Sequence, residues 1–477
     1  MKKQGPRFRH RDHLFPHFYF ESLKCPGIVV SIWLYFCASV ALSQTNFTIL
    51  KSFTSAPDGA VPYCTLVAGT NSVLYGTTII GGTSNLGTVF SMNLDGSGYN
   101  ALHSFSGPTD GSGPFAGVLL GSDGKLYGTT LAGGSVSNAG TVFTLKTDGT
   151  EFAILHAFGG GTDGKNPEGG LIEGSDGMLY GTTYYTDSAT AGTVFKIGKD
   201  GSGYTILHTF TTPDGNRPNG LLLEGSEGVL YGMAGNGGTH FGGAIFSMNK
   251  DGSGFTNLYF FRASASDADL PVAGLIEGSD HMLYGTTYQG GPGLGGTVFR
   301  INKNGTSYQI LHDFSSTGND MERPDGELLE GTDGALYGVA DYASASPYAG
   351  GIFKINKDGS GYTALRNFAA GDGVTPKCAL LRLANGVLYG TTERGGPRDS
   401  GCVFALSDSP LPPRLLSLTV SSNTNVLQLV ATSGIGYDVL RSTDLSSWSV
   451  LATIVPPTNY SDLNPPAAAA FYRLQQH

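Results

Sequence analysis

The sequence predicts an all-β protein, a seven-bladed β-propeller with four-stranded blades followed by a small β-sandwich. Glycine accounts for 73 of 477 residues, and short β-branched and aromatic runs separate the glycines, which indicates strands joined by tight turns. The triplet Leu-Tyr-Gly recurs seven times at steps of 52, 53, 51, 53, 53 and 52 residues, centred on Tyr75, Tyr127, Tyr180, Tyr231, Tyr284, Tyr337 and Tyr389. Self-similarity at such a period is typical of propellers and solenoids.

Each repeat unit predicts four strands. In the third unit an inner run (170–173) is followed by a turn, by a second strand (178–183) and, after a variable loop, by a third strand (192–197). A second turn leads to a fourth strand (204–210). Asp-Gly pairs in both turns supply the positive φ values that tight hairpins need. Four-stranded units repeated around an axis form a propeller.

The ends of the repeat region predict a closed ring. The last unit stops after its third strand, at 401–404, whereas residues 46–53 match a fourth strand. Seven complete blades therefore require the N-terminal strand to complete the last blade. Such closure removes an otherwise exposed sheet edge.

Residues 1–43 predict an export signal. Basic residues precede an apolar run at 27–41, and Ala41-Leu42-Ser43 offers the small residues of a cleavage site. An uncleaved membrane anchor is the alternative. No later stretch approaches the ~20 apolar residues that cross a bilayer. We expect a secreted or cell-surface protein with its propeller at 44–408.

The charge balance excludes several partners. Without the leader, 22 Lys and Arg face 36 Asp and Glu, a net charge of −14. Such a chain repels phosphate backbones and anionic lipids, so neither nucleic acid nor, after cleavage, a membrane is an expected partner. We expect a monomer without a cofactor.

Three cysteines follow the leader, and two of them suggest a crosslink. Cys64 and Cys378 occupy equivalent inner positions of the first and last units, which closure makes neighbours. Their Cα atoms could approach the ~4.4–6.8 Å of a disulfide, and export permits oxidation. Two buried free thiols are the alternative. Cys402 is expected to be buried and inert.

An aspartate precedes a proline by four residues in every unit, in the loop that enters the inner strand. The structural interpretation is an Asx-type turn before a strand that starts at proline, and the functional one is an acidic ring that collects cations. Repetition in all units favours structure, because sites usually break a repeat's symmetry. We call these residues the ring aspartates: Asp58, Asp110, Asp163, Asp214, Asp267, Asp320 and Asp372.

Histidines recur in the predicted fourth strands as His103, His156, His208 and His312. Fourth strands of separate blades lie far apart, so these residues cannot share one zinc ion and are expected to be polar edge residues. No metal site is predicted.

The units diverge in the loops between strands two and three, which emerge on the same face as the ring aspartates. Exposed tyrosines beside Asp and Arg suit sugar rings or extended peptides, although an ordinary wet surface is the alternative. The predicted ligand-binding residues are Tyr184, Tyr185, Asp187, His240, Tyr288, Tyr342, Tyr348 and Arg394.

Catalytic motifs are mostly missing from the sequence. It contains no nucleophile elbow, HExxH, Walker loop or CxxC pair. Loop acids such as Asp187, Asp341 and Glu393 could still converge as a carboxylate pair for glycoside cleavage. We therefore expect a non-catalytic binding or adhesion scaffold for extracellular carbohydrate or a surface protein. A polysaccharide hydrolase or lyase and a purely structural surface protein are the alternatives.

The unit also carries a family resemblance. Written as Gly-Leu-Leu-x-Gly-Ser-Asp-Gly-x-Leu-Tyr-Gly-Thr-Thr, Gly-Gly, Gly-Thr-Val-Phe and Asp-Gly-Ser-Gly-Tyr, it resembles the GloVer tandem-repeat family, the bacterial "choice-of-anchor" group. The resemblance covers about residues 46–406 in all seven units. It implies an exported propeller and brings no reaction or catalytic residue with it.

The composition changes after a Pro-rich linker at 409–413. Residues 414–477 alternate apolar and polar side chains, for example at 416–420 and 437–440, and end in Phe-Tyr-Arg-Leu. This pattern looks like a small fibronectin-III-like β-sandwich, with Trp448 in its core.

Overall fold

The structure is a computed structural model that describes residues 46–476. Its gaps are at 71, 135–136, 188–190, 264–266, 317–319, 344–349, 370, 408–413, 422–423, 431–436, 443–448, 455–458 and 463–470. The leader, the linker, Tyr348 and Trp448 therefore lie outside the described residues.

Seven antiparallel four-stranded blades form the propeller, as the sequence predicts. From the inner to the outer strand, blade 1 comprises Val67–Ala68, Val73–Thr78, Thr88–Asn93 and Asn100–Ser104. Blade 2 comprises Leu119–Leu120, Lys125–Thr130, Thr141–Lys146 and Ala153–Ala157. Blade 3 comprises Ile172–Glu173, Leu179–Thr183, Thr193–Ile197 and Thr205–Thr209. Blade 4 comprises Leu223–Glu224, Leu230–Ala234, Phe241–Met248 and Thr256–Arg262.

The remaining blades follow the same order. Blade 5 comprises Ile276–Glu277, Leu283–Thr287, Leu294–Ile301 and Gln309–Ser315. Blade 6 comprises Leu329–Glu330, Leu336–Ala340, Gly351–Ile355 and Thr363–Asn367. Blade 7 comprises Leu381–Arg382, Leu388–Thr392, Cys402–Ser407 and, as its outer strand, Asn46–Ser52. Two short strand pairs (Ala268–Asp269 with Gln289–Gly290, Met321–Glu322 with Tyr342–Ala343) and two 3-10 turns (Gly161–Asp163, Thr212–Asp214) complete the ring.

The N-terminal strand closes the ring, which confirms the predicted closure. Asn46–Ser52 pairs antiparallel with Cys402–Ser407, from Asn46 opposite Ser407 to Ser52 opposite Cys402. The Phe47 ring lies 5.3 Å from the rings of both Phe368 and Phe404. The first strand of the chain is therefore held in the last blade by backbone pairing and by aromatic packing.

The Leu-Tyr-Gly triplet recurs because each of its residues has a separate packing role. In blade 3, Leu179 and Tyr180 are fully buried, and the Tyr180 hydroxyl donates to Asp176 Oδ2 at 2.7 Å in the preceding turn. Gly181 lies under the third-strand Phe195 ring, where an added Cβ would come within 2.7 Å of Cζ. Only glycine allows this contact between the second and third strands.

The ring aspartates connect each fourth strand to the loop that follows it. Asp110 accepts hydrogen bonds from the backbone N–H groups of Ser106 and Gly107 and lies 3.1 Å from His103 Nε2. The His103 ring in turn stacks on Phe152 of the next blade at 3.8 Å between centroids. The fourth-strand histidines are therefore more than polar edge residues, because they join neighbouring blades.

The same contact recurs around the ring with other residue types. Lys51 contacts Asp58 and the Tyr99 ring, Tyr259 contacts Asp267 and stacks on Tyr308, and Arg366 contacts Asp372 and the Phe47 ring. The ring aspartates are thus engaged in local contacts that hold the blades together.

The strands after the linker form two three-stranded antiparallel sheets. One contains Arg414–Ser421, Thr424–Val430 and Asn459–Asp462, and the other contains Ser449–Ile454, Tyr437–Ser442 and Phe471–Gln476. Their assembly into a fibronectin-III-like sandwich stays a prediction. In the described part of the chain, no helix is both long and apolar enough to cross a membrane.

Candidate functional site at the mouth of the central channel

Each ring aspartate is followed four residues later by a proline, which we call the ring proline. The residue after the ring proline differs in every blade, and all seven of these residues line one cavity of about 300 Å³ in the central channel. The proline lies five residues before the inner strand in every blade, so the side chains that follow it meet around the propeller axis. The other positions of the inner strand are mostly small or apolar in every unit. We call this set the lining ring: Tyr63, Phe115, Glu168, Asn219, Val272, Asp325 and Lys377.

A second variable ring stands beside it, at the end of each second strand. In every blade its backbone N–H donates to the carbonyl of the residue before the ring proline, for example Asp341 to Arg323 at 3.0 Å. The residues before the prolines all have left-handed φ angles, between 54° and 60°. This arrangement brings the second ring to the same end of the channel as the lining ring. We call this set the rim ring: Ile79, Leu131, Tyr184, Gly235, Tyr288, Asp341 and Glu393.

Charged residues of both rings converge on Lys377. Its Nζ lies 3.2 Å from Asp341 Oδ2, 3.5 Å from Asp325 Oδ2 and 3.7 Å from Glu393 Oε2. The Tyr63 hydroxyl donates to Asp325 Oδ2 at 3.0 Å, and the Tyr288 hydroxyl donates to Asp341 Oδ2 at 3.2 Å. We call Lys377, Asp325, Asp341 and Glu393 the lysine cluster. Blades 6 and 7 supply its charges, and blades 1 and 5 supply the tyrosines.

Burial sets the protonation of the lysine cluster. The Asp341 side chain is 1% exposed and the Asp325 side chain 8%. Burial, with repulsion from Asp325, raises the pKa of Asp341 to about 7, and burial also raises the pKa of Asp325 despite the nearby Lys377. Burial alone would lower the pKa of Lys377, but the surrounding carboxylates hold it above the ordinary value. The cluster therefore combines a fixed cation with one carboxyl, Asp341, that exchanges its proton near neutral pH.

A second cluster lies in blades 3 and 4. The Arg217 guanidinium carbon is 5.7 Å from the Tyr184 ring centroid and 5.5 Å from that of Tyr185, and the two rings are 4.5 Å apart. Burial raises the pKa of Glu168 to about 7, although Arg217 opposes the shift. We call Arg217, Tyr184, Tyr185 and Glu168 the arginine cluster. Arg323, the equivalent of Arg217 in blade 6, lies over Tyr342 at 4.6 Å.

The channel continues below the two rings. Glu327 Oε1 accepts a hydrogen bond from the Gly274 N–H at 3.3 Å, and burial raises the pKa of this carboxyl. Cys64 and Cys378 line the same cavity as buried free thiols. In the structure Cys64 and Cys378 do not form the disulfide considered from the sequence. Both are free thiols, which was the alternative. The Thr77 N–H donates to Cys64 Sγ at 3.3 Å.

The structure gathers only part of the ligand site predicted from the sequence. Tyr184, Tyr185 and Tyr288 belong to the channel mouth through the contacts above, whereas Tyr342 contacts Arg323, which belongs to neither cluster. The Asp187 side chain is 73% exposed and lies 3.7 Å from Lys165 Nζ, outside both clusters. His240 and Arg394 are exposed on the outer loops, and Tyr348 falls outside the described residues.

Of the three loop acids considered for catalysis, Asp341 and Glu393 meet in the lysine cluster, whereas Asp187 does not. Sequence reasoning missed Asp325, Lys377 and Tyr63. The signal was present, because the residue after each ring proline breaks a repeat that is regular on both sides of it. Among the residues that the structure describes, no group of three or more His, Cys, Asp or Glu side chains could hold a metal ion.

Comparison with solved structures finds several that are similar to this chain. The fold is similar to the extracellular domain assigned to a one-component system of B. thetaiotaomicron, with a TM-score of 0.52 and 11% identity over 90% of this chain and 55% of that one. The extracellular domain assigned to a hybrid two-component system of the same bacterium has a TM-score of 0.53 and 11% identity, over 90% of this chain and 58% of that one. A fungal AA5-family alcohol oxidase, solved with copper, has a TM-score of 0.45 and 12% identity, over 83% of this chain and 85% of that one.

The chain thus matches little more than half the length of the two bacterial domains, and at these identities the likeness concerns the fold. No curated protein matches the sequence. A family model described as the Gloeobacter/Verrucomicrobia repeat matches residues 37–240 and 220–437. Since these matches cover well over half of the sequence, the chain belongs to the Gloeobacter/Verrucomicrobia repeat family.

Proposed function

We propose that this protein is exported and binds an extracellular carbohydrate at the mouth of its central channel. The observation that carries the proposal is the convergence of the lysine cluster with Tyr63 and Tyr288, from four blades. Tyr63, Asp325 and Lys377 of this group line the cavity in the channel. Sugars offer many hydroxyl groups, which both donate and accept, and an apolar ring face that packs on aromatic side chains. A cation, carboxyls and tyrosine rings in one place match both features.

The cavity size agrees with a small part of a glycan. Its volume of about 300 Å³ is at the lower end of the range for small-molecule pockets. The Tyr63 and Phe115 rings lie 4.4 Å apart on the same wall, which gives that wall an apolar surface. The site would therefore take a chain end or a short branch, with the outer loops free to contact the rest of the polymer.

The proposal includes the processing and attachment predicted from the sequence. Residues 1–43 act as a cleaved export signal, and residues 414–477 form a fibronectin-III-like sandwich that presents the propeller at the cell surface. Export agrees with the two bacterial domains of similar fold, which are themselves extracellular.

The test is retention of the exported chain on an array of immobilised polysaccharides. We expect retention on at least one glycan, and loss of that retention in Lys377→Met, which keeps the side-chain length but removes the cation. The matched control is Lys250→Met, because the exposed fraction of the Lys250 side chain (21%) is similar to that of Lys377 (19%). Lys250 pairs with Glu224, which ends the inner strand of blade 4 at the other end of the blade. Lack of retention on every glycan of the array would contradict the proposal and favour a protein partner or a purely structural role.

The second candidate function is cleavage of the bound glycan by a hydrolase or lyase reaction. The observation in its favour is Asp341, a buried carboxyl from blade 6 with a pKa of about 7, beside Lys377 and Glu393 of blade 7. A group that is half protonated near neutral pH can serve as a general acid or base. Released reducing ends in the same array wells, lost in Asp341→Asn, would establish catalysis, and retention without release would leave binding alone.

A further inference from the structure

We infer that the arginine cluster is a subsite for a carboxylate, so that the carbohydrate bound at the mouth is an acidic one that contains uronate. The inference rests on the proposed function and names its ligand class. It is carried by a rim-ring position without a side chain and, among the residues that the structure describes, by unpartnered polar atoms on Arg217 and Asn219 and by the lack of an ion pair at Arg217.

This position is Gly235, the only rim-ring residue without a side chain. Its neighbours in the rim ring are Tyr184 of blade 3 and Tyr288 of blade 5. A Cβ added to Gly235 would lie 3.3 Å from the Arg217 carbonyl oxygen and 3.5 Å from Asn219 Oδ1. The rim ring therefore carries no side chain at this position, which is bordered by these two oxygens and by the Pro271 carbonyl oxygen, 3.5 Å from the added Cβ. We call this position the glycine notch.

Polar atoms around the glycine notch have unused hydrogen-bonding capacity. Within the described part of the chain, Arg217 Nε and Asn219 Oδ1 are buried without a hydrogen-bond partner, and so is Thr182 Oγ1 one layer deeper. The equivalent threonines do bond to the next inner strand, as Thr77 does to the Ala116 carbonyl at 2.8 Å. Buried polar groups in proteins are normally paired, so an unpaired donor and an unpaired acceptor on two residues of one loop are suited to a ligand.

The charge pattern favours a carboxylate at Arg217. Lys377 is already surrounded by three carboxylates, whereas no ion pair involves Arg217 among the described residues. A guanidinium has a planar set of donors that matches a carboxylate, and the adjacent Asn219 oxygen can accept from a neighbouring ring hydroxyl. A uronate carries both groups on one ring.

The two clusters also orient such a ligand. The lysine cluster has three carboxyls to one lysine and repels an anion, while it can bond to hydroxyl groups. Since the exported chain carries a net charge of −14, an acidic glycan gains nothing from the overall field. Local attraction at Arg217 must then supply the preference for the acid.

The experiment compares tri-galacturonate with its carboxyl-reduced trimer, which keeps the ring hydroxyls, by calorimetry with the exported chain. We expect the wild type to bind the acid at least tenfold more tightly. Arg217→Gln should abolish that preference and leave the affinity for the reduced trimer within twofold, which also shows that the variant is folded. Arg323→Gln, at the equivalent position of blade 6, should keep the preference, and Gly235→Leu, which fills the notch, should weaken binding of both trimers.

The outcomes separate the inference from the proposed function. Equal affinity of the wild type for both trimers would overturn the uronate subsite and leave carbohydrate binding standing. Preference lost in Arg323→Gln but kept in Arg217→Gln would overturn the assignment to the arginine cluster. Binding of neither trimer overturns the inference, and the polysaccharide array then decides whether the proposed function fails with it.

Discussion

At the scale of single residues, the site depends on one position per blade. The residue after the ring proline is a tyrosine, a phenylalanine, an asparagine, a valine, a lysine or one of two acids, and the backbone that carries it hardly varies. Evolution could change the chemistry of the channel mouth at this position without disturbing the hydrogen bonds of the blades.

The raised pKa of Asp341 predicts a pH-dependent stability. Because the pKa of Asp341 in the folded state (about 7) exceeds the 3.8 of a free aspartate side chain, the folded state binds more protons than the unfolded state between these pH values. This contribution is present below pH 4 and is lost as the pH rises towards 7. We expect the unfolding free energy of the wild type to fall relative to Asp341→Asn by roughly 1–4 kcal/mol over this window. Parallel pH profiles of the two proteins in urea unfolding would contradict this.

The glycine of the Leu-Tyr-Gly triplet predicts a clash on substitution. In Gly181→Ala the new Cβ would lie 2.7 Å from Phe195 Cζ and 2.8 Å from Leu171 Cδ2, so we expect a loss of about 1–3 kcal/mol. The control is Gly371→Ala, an exposed position where an added Cβ meets nothing within 4 Å. Equal unfolding midpoints for both variants would show that the contact is easily relieved.

At the scale of elements, each blade is tied to the next by the same three-part contact. A ring aspartate binds backbone N–H groups of its own loop and a fourth-strand side chain, which stacks on an aromatic residue of the next blade. The fourth-strand residue changes among Lys, His, Tyr and Arg, but the contact persists. It explains why the aspartate repeats in every unit although the lining ring does not.

This contact predicts the cost of losing one carboxylate. Asp110→Asn removes one acceptor oxygen from a site that binds two backbone N–H groups and His103, so we expect a loss of about 1–2 kcal/mol. Hydrogen exchange should quicken at the junction of blades 1 and 2. Asp148→Asn, in an exposed turn where Asp148 accepts from Thr150, should cost less because water replaces the lost bond. Equal losses for the two variants would count against a bridging role.

At the scale of the whole molecule, the ring is closed by pairing between the two ends of the propeller chain. The last blade takes its outer strand from the start of the chain, about 350 residues away, so no hairpin holds that strand in place. Every mouth residue depends on the closure, because blades 1, 6 and 7 meet at Tyr63, Asp325 and Lys377.

Closure predicts unequal effects of two matched substitutions. Phe47 and Phe152 occupy the same position in their blades, and each packs on the fourth-strand residue of the preceding blade (Arg366 and His103). Phe47→Ala should lower the melting temperature by several degrees more than Phe152→Ala, since it also weakens the hold on the N-terminal strand. Identical melting temperatures would mean that backbone pairing alone secures the ring.

The fold could be predicted from the sequence because the same four-strand pattern occurs in seven successive units. The Leu-Tyr-Gly spacing predicts the number of blades, and the Asp-Gly turns predict the strand order. The fourth-strand sequence at residues 46–53, ahead of the first unit, predicts the closure. The site is different, because it exists only where the repeat fails. The tyrosines stood out in the variable loops, but Lys377 and Asp325 are 52 residues apart and follow identical prolines. Their meeting depends on the curvature of the ring, which no local pattern contains.

The most direct test of the channel-mouth site is calorimetric affinity for the glycan that the exported chain retains best on the array. We expect Lys377→Met to weaken binding at least tenfold and to lower the unfolding midpoint, because Asp325 and Asp341 lose their cation, while the variant remains folded at the temperature of the measurement. Lys250→Met should leave the affinity within twofold. Equal affinities of the wild type and Lys377→Met for that glycan would contradict the site described here and move binding to the outer loops.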